Sequence, residues 1–74
     1  MTAPTGSLET RLLEAHALDD RTALVTLYAE AADTANNPTA SGFYLTHAYV
    51  YALETAHPLA DQLHARLVAE GRDA

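Results

Sequence analysis

The stretch from Asn37 to Ala56, NPTASGFYLTHAYVYALETA, constrains this chain more than any other. It is the longest run with few charges, and it holds the only Phe and three of the four Tyr. Asn37 can cap a helix N-terminus, and Pro38 can take the first helical position, where its missing N–H costs nothing. The spacing therefore predicts a helix over about 38–56. At about 100° per residue, Gly42, Leu45, Tyr49, Ala52, Leu53 and Ala56 share one side, as a core-facing stripe would. Phe43, Tyr44, Val50 and Tyr51 point the other way, relieved mainly by Thr46, His47 and Glu54. A helix that is apolar most of the way round is buried on more than one side, within its own domain or against a partner.

The flanking segments are also helical in pattern. Residues 1–6, MTAPTG, read as a frayed tail, and residues 7–72 as a single helical domain. Ser7 can cap a helix over 8–17, with Leu8, Leu12 and Ala15 on its face and Leu13 off the stripe. Either Asp19 or Asp20 can cap the next helix, about 21–35, whose stripe is Leu24, Leu27, Tyr28, Ala31 and Ala35. The small Ala31, Ala32 and Ala35 allow a neighbour to approach closely, and Asn36-Asn37-Pro38 ends the helix. A fourth helix is expected after His57, with Pro58 at its first position, Leu59, Ala60, Leu63 and Leu67 on its face, and Gly71 as a left-handed stop. The short connections favour antiparallel neighbours. At the last junction the chain either folds back or runs on from the third helix with a kink.

With 74 residues and no Cys, disulfides and thiolate zinc sites are excluded, and the remaining staples are tight helical packing or oligomerisation. A formal charge of −6, with four Arg and no Lys, disfavours nucleic acid and acidic membranes as partners. The first residues carry neither a basic nor an apolar leader pattern, and no apolar run approaches the roughly 20 residues of a membrane span. The expectation is a soluble, cytoplasmic protein.

The helical hairpin resembles a tetratricopeptide-type unit over residues 21–63. Leu24 and Tyr28 match the L-G-x2-Y end of the first-helix signature. Leu45 and Tyr49 stand for the A-x3-F step, Ala52 follows three residues later, and Pro58 closes the second helix. Arg21 replaces the signature Trp, Val25 the Gly and Leu45 the small Ala, and the turn is longer than the consensus. The resemblance implies a protein–protein interaction module and transfers no catalytic or ligand residue. The fold expected is all-α: a small antiparallel bundle of three to four helices around this tetratricopeptide-like hairpin.

Candidate chemistry is sparse. His57, Asp61 and His64 fall on one stripe of the fourth helix and are the best candidates for a divalent metal, weighed against an exposed polar face with His57 at the cap. His47, between Tyr44 and Tyr51, offers either a ligand cleft or an interface patch. His16 suits a helix C-terminus, and Asp19-Asp20 suit capping better than acid–base work. No Gly-rich phosphate loop, nucleophile elbow or HExxH occurs. The sequence thus points to a non-catalytic protein without cofactor, contacting a second copy or another protein through Phe43, Tyr44, His47, Val50 and Tyr51, with small-ligand or metal binding as the alternative.

Overall fold

The computed structural model describes residues 7–71. They form four helices and no strand: α1 (Leu8–Ala17), α2 (Arg21–Thr34), α3 (Pro38–Thr55) and α4 (Ala60–Ala69). The expected N-terminal tail lies outside the described residues. None of the helices is long and apolar enough to cross a membrane.

Three of the four helix starts are fixed by short polar side chains. The Ser7 hydroxyl accepts the Thr10 N–H at 3.2 Å, the Asp20 carboxylate accepts that of Ala23 at 3.2 Å, and the Asn37 side chain accepts that of Ala40 at 2.8 Å, with Pro38 following. Each satisfies a backbone donor that the first turn leaves without a helical partner. Asp20 is therefore the cap, while Asp19 pairs with Arg21 at 3.2 Å.

Two helices stop on left-handed residues that are not glycine, Asp19 (φ 53°) and Ala56 (φ 52°). At both stops the next two N–H groups turn back onto the helix. Asp19 donates to the His16 carbonyl (3.1 Å) and Asp20 to that of Ala15 (2.8 Å); Ala56 donates to Leu53 (3.4 Å) and His57 to Ala52 (2.8 Å). This is the paired bonding of a Schellman stop. Gly71, at φ 71°, adopts the left-handed conformation expected of it.

The Ala56 stop folds α4 back onto α3 and corrects the expected start of α4. Pro58 is not the first helical residue. It lies with Leu59 in a turn, and the helix begins at Ala60. His57 organises that turn: its ring Nδ1 accepts the Leu59 N–H (3.1 Å) and its carbonyl accepts that of Ala60 (3.1 Å).

Helix α2 is the spine. One side sets Leu24 and Leu27 against Ala15 of α1; another sets Val25 and Ala32 into a cluster with Leu45, Ala48 and Ala52 of α3 and Leu63 and Leu67 of α4. Salt bridges report the helix directions. Arg11, early in α1, holds Glu30, late in α2, at 2.8 Å; Arg21 at the start of α2 holds Glu54 near the end of α3 at 3.2 Å; Arg66 of α4 holds Asp33 of α2 at 2.8 Å. Successive helices are thus antiparallel, and α4 runs with α2. These pairs are partly exposed and screened by solvent, so each adds little to stability. The assembly is elongated, 43 × 28 × 14 Å, with a radius of gyration of 12.5 Å against about 11 Å for a compact chain of this length.

The buried stripe of α3 differs from the expected one. Gly42, Leu45 and Ala52 are buried as expected, but Ala48 is fully buried too, whereas Leu53 is 58% exposed and Ala56 forms the exposed stop. On α2, Val25 is likewise fully buried although it lay off the expected stripe. The reason is the position of α2, which draws the Ala48 side of α3 inward and leaves the Leu53 side to solvent.

Leu24 and Leu45 are essentially inaccessible, so replacing either by Ala should cost about 2–5 kcal/mol in urea unfolding. Ala56→Gly should instead stabilise by about 0.5–1 kcal/mol, because relief of the left-handed strain exceeds the added freedom of the unfolded chain.

Candidate functional site

The five residues expected to form a contact face are divided by the structure into an inner and an outer group. Tyr44, His47 and Tyr51 recur at i, i+3 and i+7 on the side of α3 that meets α2, and all three are half-buried. The Tyr28 ring of α2 lies among them, its centroid 6.1, 5.1 and 6.0 Å from theirs and nearly parallel to Tyr51 at 13°. From α1, His16 brings its Nε2 to 2.8 Å from the Tyr28 hydroxyl and sets its ring edge-on to Tyr51 at 6.3 Å. Three helices are joined here through aromatic contacts. Burial pushes the Tyr28 phenol above its ordinary value of 10.0, and the ionising neighbours Tyr51 and Tyr44 add to the rise.

Sequence reasoning missed Tyr28 and His16 as members of this group. Tyr28 carried a usable signal, its place on the α2 stripe. His16 carried none, because a histidine in a last helical turn is accounted for by the helix dipole alone.

Phe43 and Val50 form the outer group, 59% and 45% exposed, and Leu53 joins them. With Thr46 between them and Thr39 one turn before Phe43, they make one largely apolar strip along the exposed side of α3. Glu54 borders this strip and is held by Arg21. His47 sits at the boundary between the two groups. Its Nδ1 lies 2.9 Å from the Phe43 carbonyl, and its ring lies 4.3 Å from the Phe43 ring. A carbonyl only accepts, so Nδ1 carries the proton and donates, and the lone pair of the neutral ring is on Nε2.

Hollows beside this strip are shallow. One of about 250 Å³ is lined by Thr46, His47, Val50, Tyr51 and Glu54, another of about 430 Å³ by Thr39, Gly42, Phe43, Thr46 and His47. Both are walled by α3 alone, and a single helix cannot enclose a small molecule as ligand pockets do.

The fourth-helix candidates His57, Asp61 and His64 do not assemble into a site. Among the described residues no group of three His, Asp or Glu is placed to hold a metal. His57 spends its Nδ1 lone pair on the Leu59 N–H, which puts the proton of the neutral ring on Nε2 and leaves no donor pair for a cation. His64 stacks on Tyr49, centroids 5.5 Å apart and 29° between planes, while Asp61 is exposed.

The raised Tyr28 phenol gives a pH signature. Above about 10 the unfolded chain loses this proton before the folded one, so the stability linked to the phenol is complete below that value and falls as pH rises through the folded pKa. Tyr28→Phe should flatten that alkaline fall in urea midpoints and remove one tyrosinate step from the alkaline ultraviolet absorbance titration. Compared with protein-family models, with curated proteins and with solved structures, the chain matches none of them.

Proposed function

We propose that this chain is a non-catalytic protein-interaction module that works without a cofactor, in the cytoplasm, through the outer face of α3. The observation that carries the reading is the exposed strip of Phe43, Val50 and Leu53 on a helix whose other sides are packed. Large apolar side chains gathered on one exposed face mark contact sites more often than isolated ones do. Aromatic anchors such as Phe43 are the residues whose burial yields most at an interface. The half-buried Tyr44, His47 and Tyr51 would form the inner rim of the contact, where their polar atoms still reach water.

Two further features support this reading over a ligand or metal protein. The hollows at the strip have one wall, and their lining carries a single imidazole, His47, and a single carboxylate, Glu54. The tetratricopeptide-like pattern over residues 21–63 falls on α2, α3 and the start of α4, in keeping with a scaffold that presents a surface. The lack of Cys suits a reducing compartment.

A photo-cross-linking amino acid placed at Val50 should yield protein adducts in cells, whereas the same group at Gln62, exposed on α4, should not. Phe43→Asp should abolish the Val50 adducts with unchanged helix content by circular dichroism. Adducts of equal strength from both positions, or from neither, would overturn the proposal.

A further inference from the structure

We propose that His57 makes the α3–α4 junction a proton-sensitive clasp, in which the neutral ring holds α4 against α3 and the protonated ring lets α4 open. The bond that carries this is the Leu59 N–H donated to His57 Nδ1 at 3.1 Å. A backbone N–H only donates, so Nδ1 holds a lone pair and the proton of the neutral ring sits on Nε2. A second proton takes that lone pair, and two N–H groups then face each other. The Leu59 bond exists only with the neutral ring.

The contacts described above for the other three imidazoles survive protonation. His47 already donates from Nδ1 to the Phe43 carbonyl at 2.9 Å. His16 Nε2 meets the Tyr28 hydroxyl at 2.8 Å, and a hydroxyl can accept as well as donate. His64 stacks on Tyr49, and a cation is also attracted to the face of a phenol ring. His57 alone among these contacts must be neutral.

The junction leans on this bond. Ser7, Asp20 and Asn37 tie down the starts of α1, α2 and α3, whereas α4 starts on Leu59, which makes no side-chain cap bond. His57 supplies a side-chain bond to that start instead. Its Nδ1 accepts from the residue two places on, as the side-chain oxygen of Asn or Asp does in an Asx turn. One residue earlier, Ala56 is held at φ 52°, a conformation that alanine keeps only when its surroundings impose it. Beyond the turn, Leu63 and Leu67 of α4 share a buried cluster with Leu45, Ala48 and Ala52 of α3 and Val25 of α2. Opening α4 therefore uncovers an apolar face of the α2–α3 hairpin.

The charged neighbours do not offset the lost bond. Glu54 and the carbonyl end of α3 precede the ring, Asp61 and His64 follow it on α4, and Arg21 of α2 holds both Glu54 and Asp19 at 3.2 Å. Glu54 and Asp61 are exposed, and like the end of α3 they attract an imidazolium in the open turn as much as in the closed one. The Leu59 bond thus contributes above the range in which imidazoles titrate, roughly pH 6.5, and is lost as pH falls through it.

Amide hydrogen exchange of the full chain, read by NMR at about pH 7.5 and about pH 5 and corrected for intrinsic rates, tests this. Relative to the α2–α3 seam, the amides of Leu63 to Leu67 should lose protection about 3- to 10-fold at the lower pH, as the loss of one hydrogen bond implies. His57→Asn, which offers an oxygen acceptor that does not titrate, should show no such change. His57→Ala should be equally weakly protected at both values. In the unmutated chain, the ring nitrogen shifts of His57 should show a bare Nδ1 and a protonated Nε2 at about pH 7.5. A protonated Nδ1 at that pH, an unchanged α4 at about pH 5, or the same loss in His57→Asn as in the unmutated chain would each overturn the clasp.

Discussion

The structure depends on how closely α2 and α3 can approach. Among the described residues, five of the eleven core side chains are alanine: Ala15, Ala31, Ala32, Ala48 and Ala52. Small residues on facing helices let the axes lie towards the short end of the usual range of about 8–10 Å. The larger buried side chains, Leu24, Val25, Leu27, Leu45, Leu63 and Leu67, fill the remaining space. A close-packed seam compensates for a short chain that has no disulfide and little volume to bury. The arginine pairs between helices add orientation more than energy, holding Glu30, Glu54 and Asp33 at the margins of the same packing.

The local features of the chain were the most legible from its sequence. Ser7, Asp20 and Asn37 cap where their residue types suggest, because a cap is a contact between neighbours three residues apart. The same local logic failed at the α3–α4 junction, where the decisive residue is Ala56. Alanine gives no warning of a left-handed conformation, so Pro58 looked like a helix start when it belongs to the turn. The stripe of α3 was misread for a different reason. Ala48 and Leu53 are both apolar, and which of them is buried is decided by where α2 lies, something no period within α3 records. The candidate face was likewise half legible. Its residues were named by their shared side of the helix, but the turn of Tyr44, His47 and Tyr51 towards Tyr28 is a tertiary fact.

The division within that face explains how one helix can be apolar nearly all round in a small acidic protein. The aromatic side closes against Tyr28 and His16, with hydroxyl and imidazole bonded to each other. The aliphatic side, with Phe43 at its head, faces outward beyond the reach of α2 and α4. Apart from Glu54 near the end of α3, the carboxylates of the described residues lie on α1, α2, α4 and the turns. The outer side of α3 is thus set apart by its scarcity of charge as much as by its apolar side chains.

The two-sided use of α2 has a kinetic side. The buried cluster around Ala15, Leu24 and Leu27 meets the one that α2 shares with α3 and α4 through the half-buried Tyr28 and Tyr51. Helix α1 is only ten residues long and would not persist alone. A short helix held by a small cluster is the kind of element that opens locally at lower free energy than the rest of a fold. Were α1 to open, Leu24, Leu27 and the Tyr28 hydroxyl would lose their cover, and the α1 amides would exchange with solvent faster than those at the α2–α3 seam.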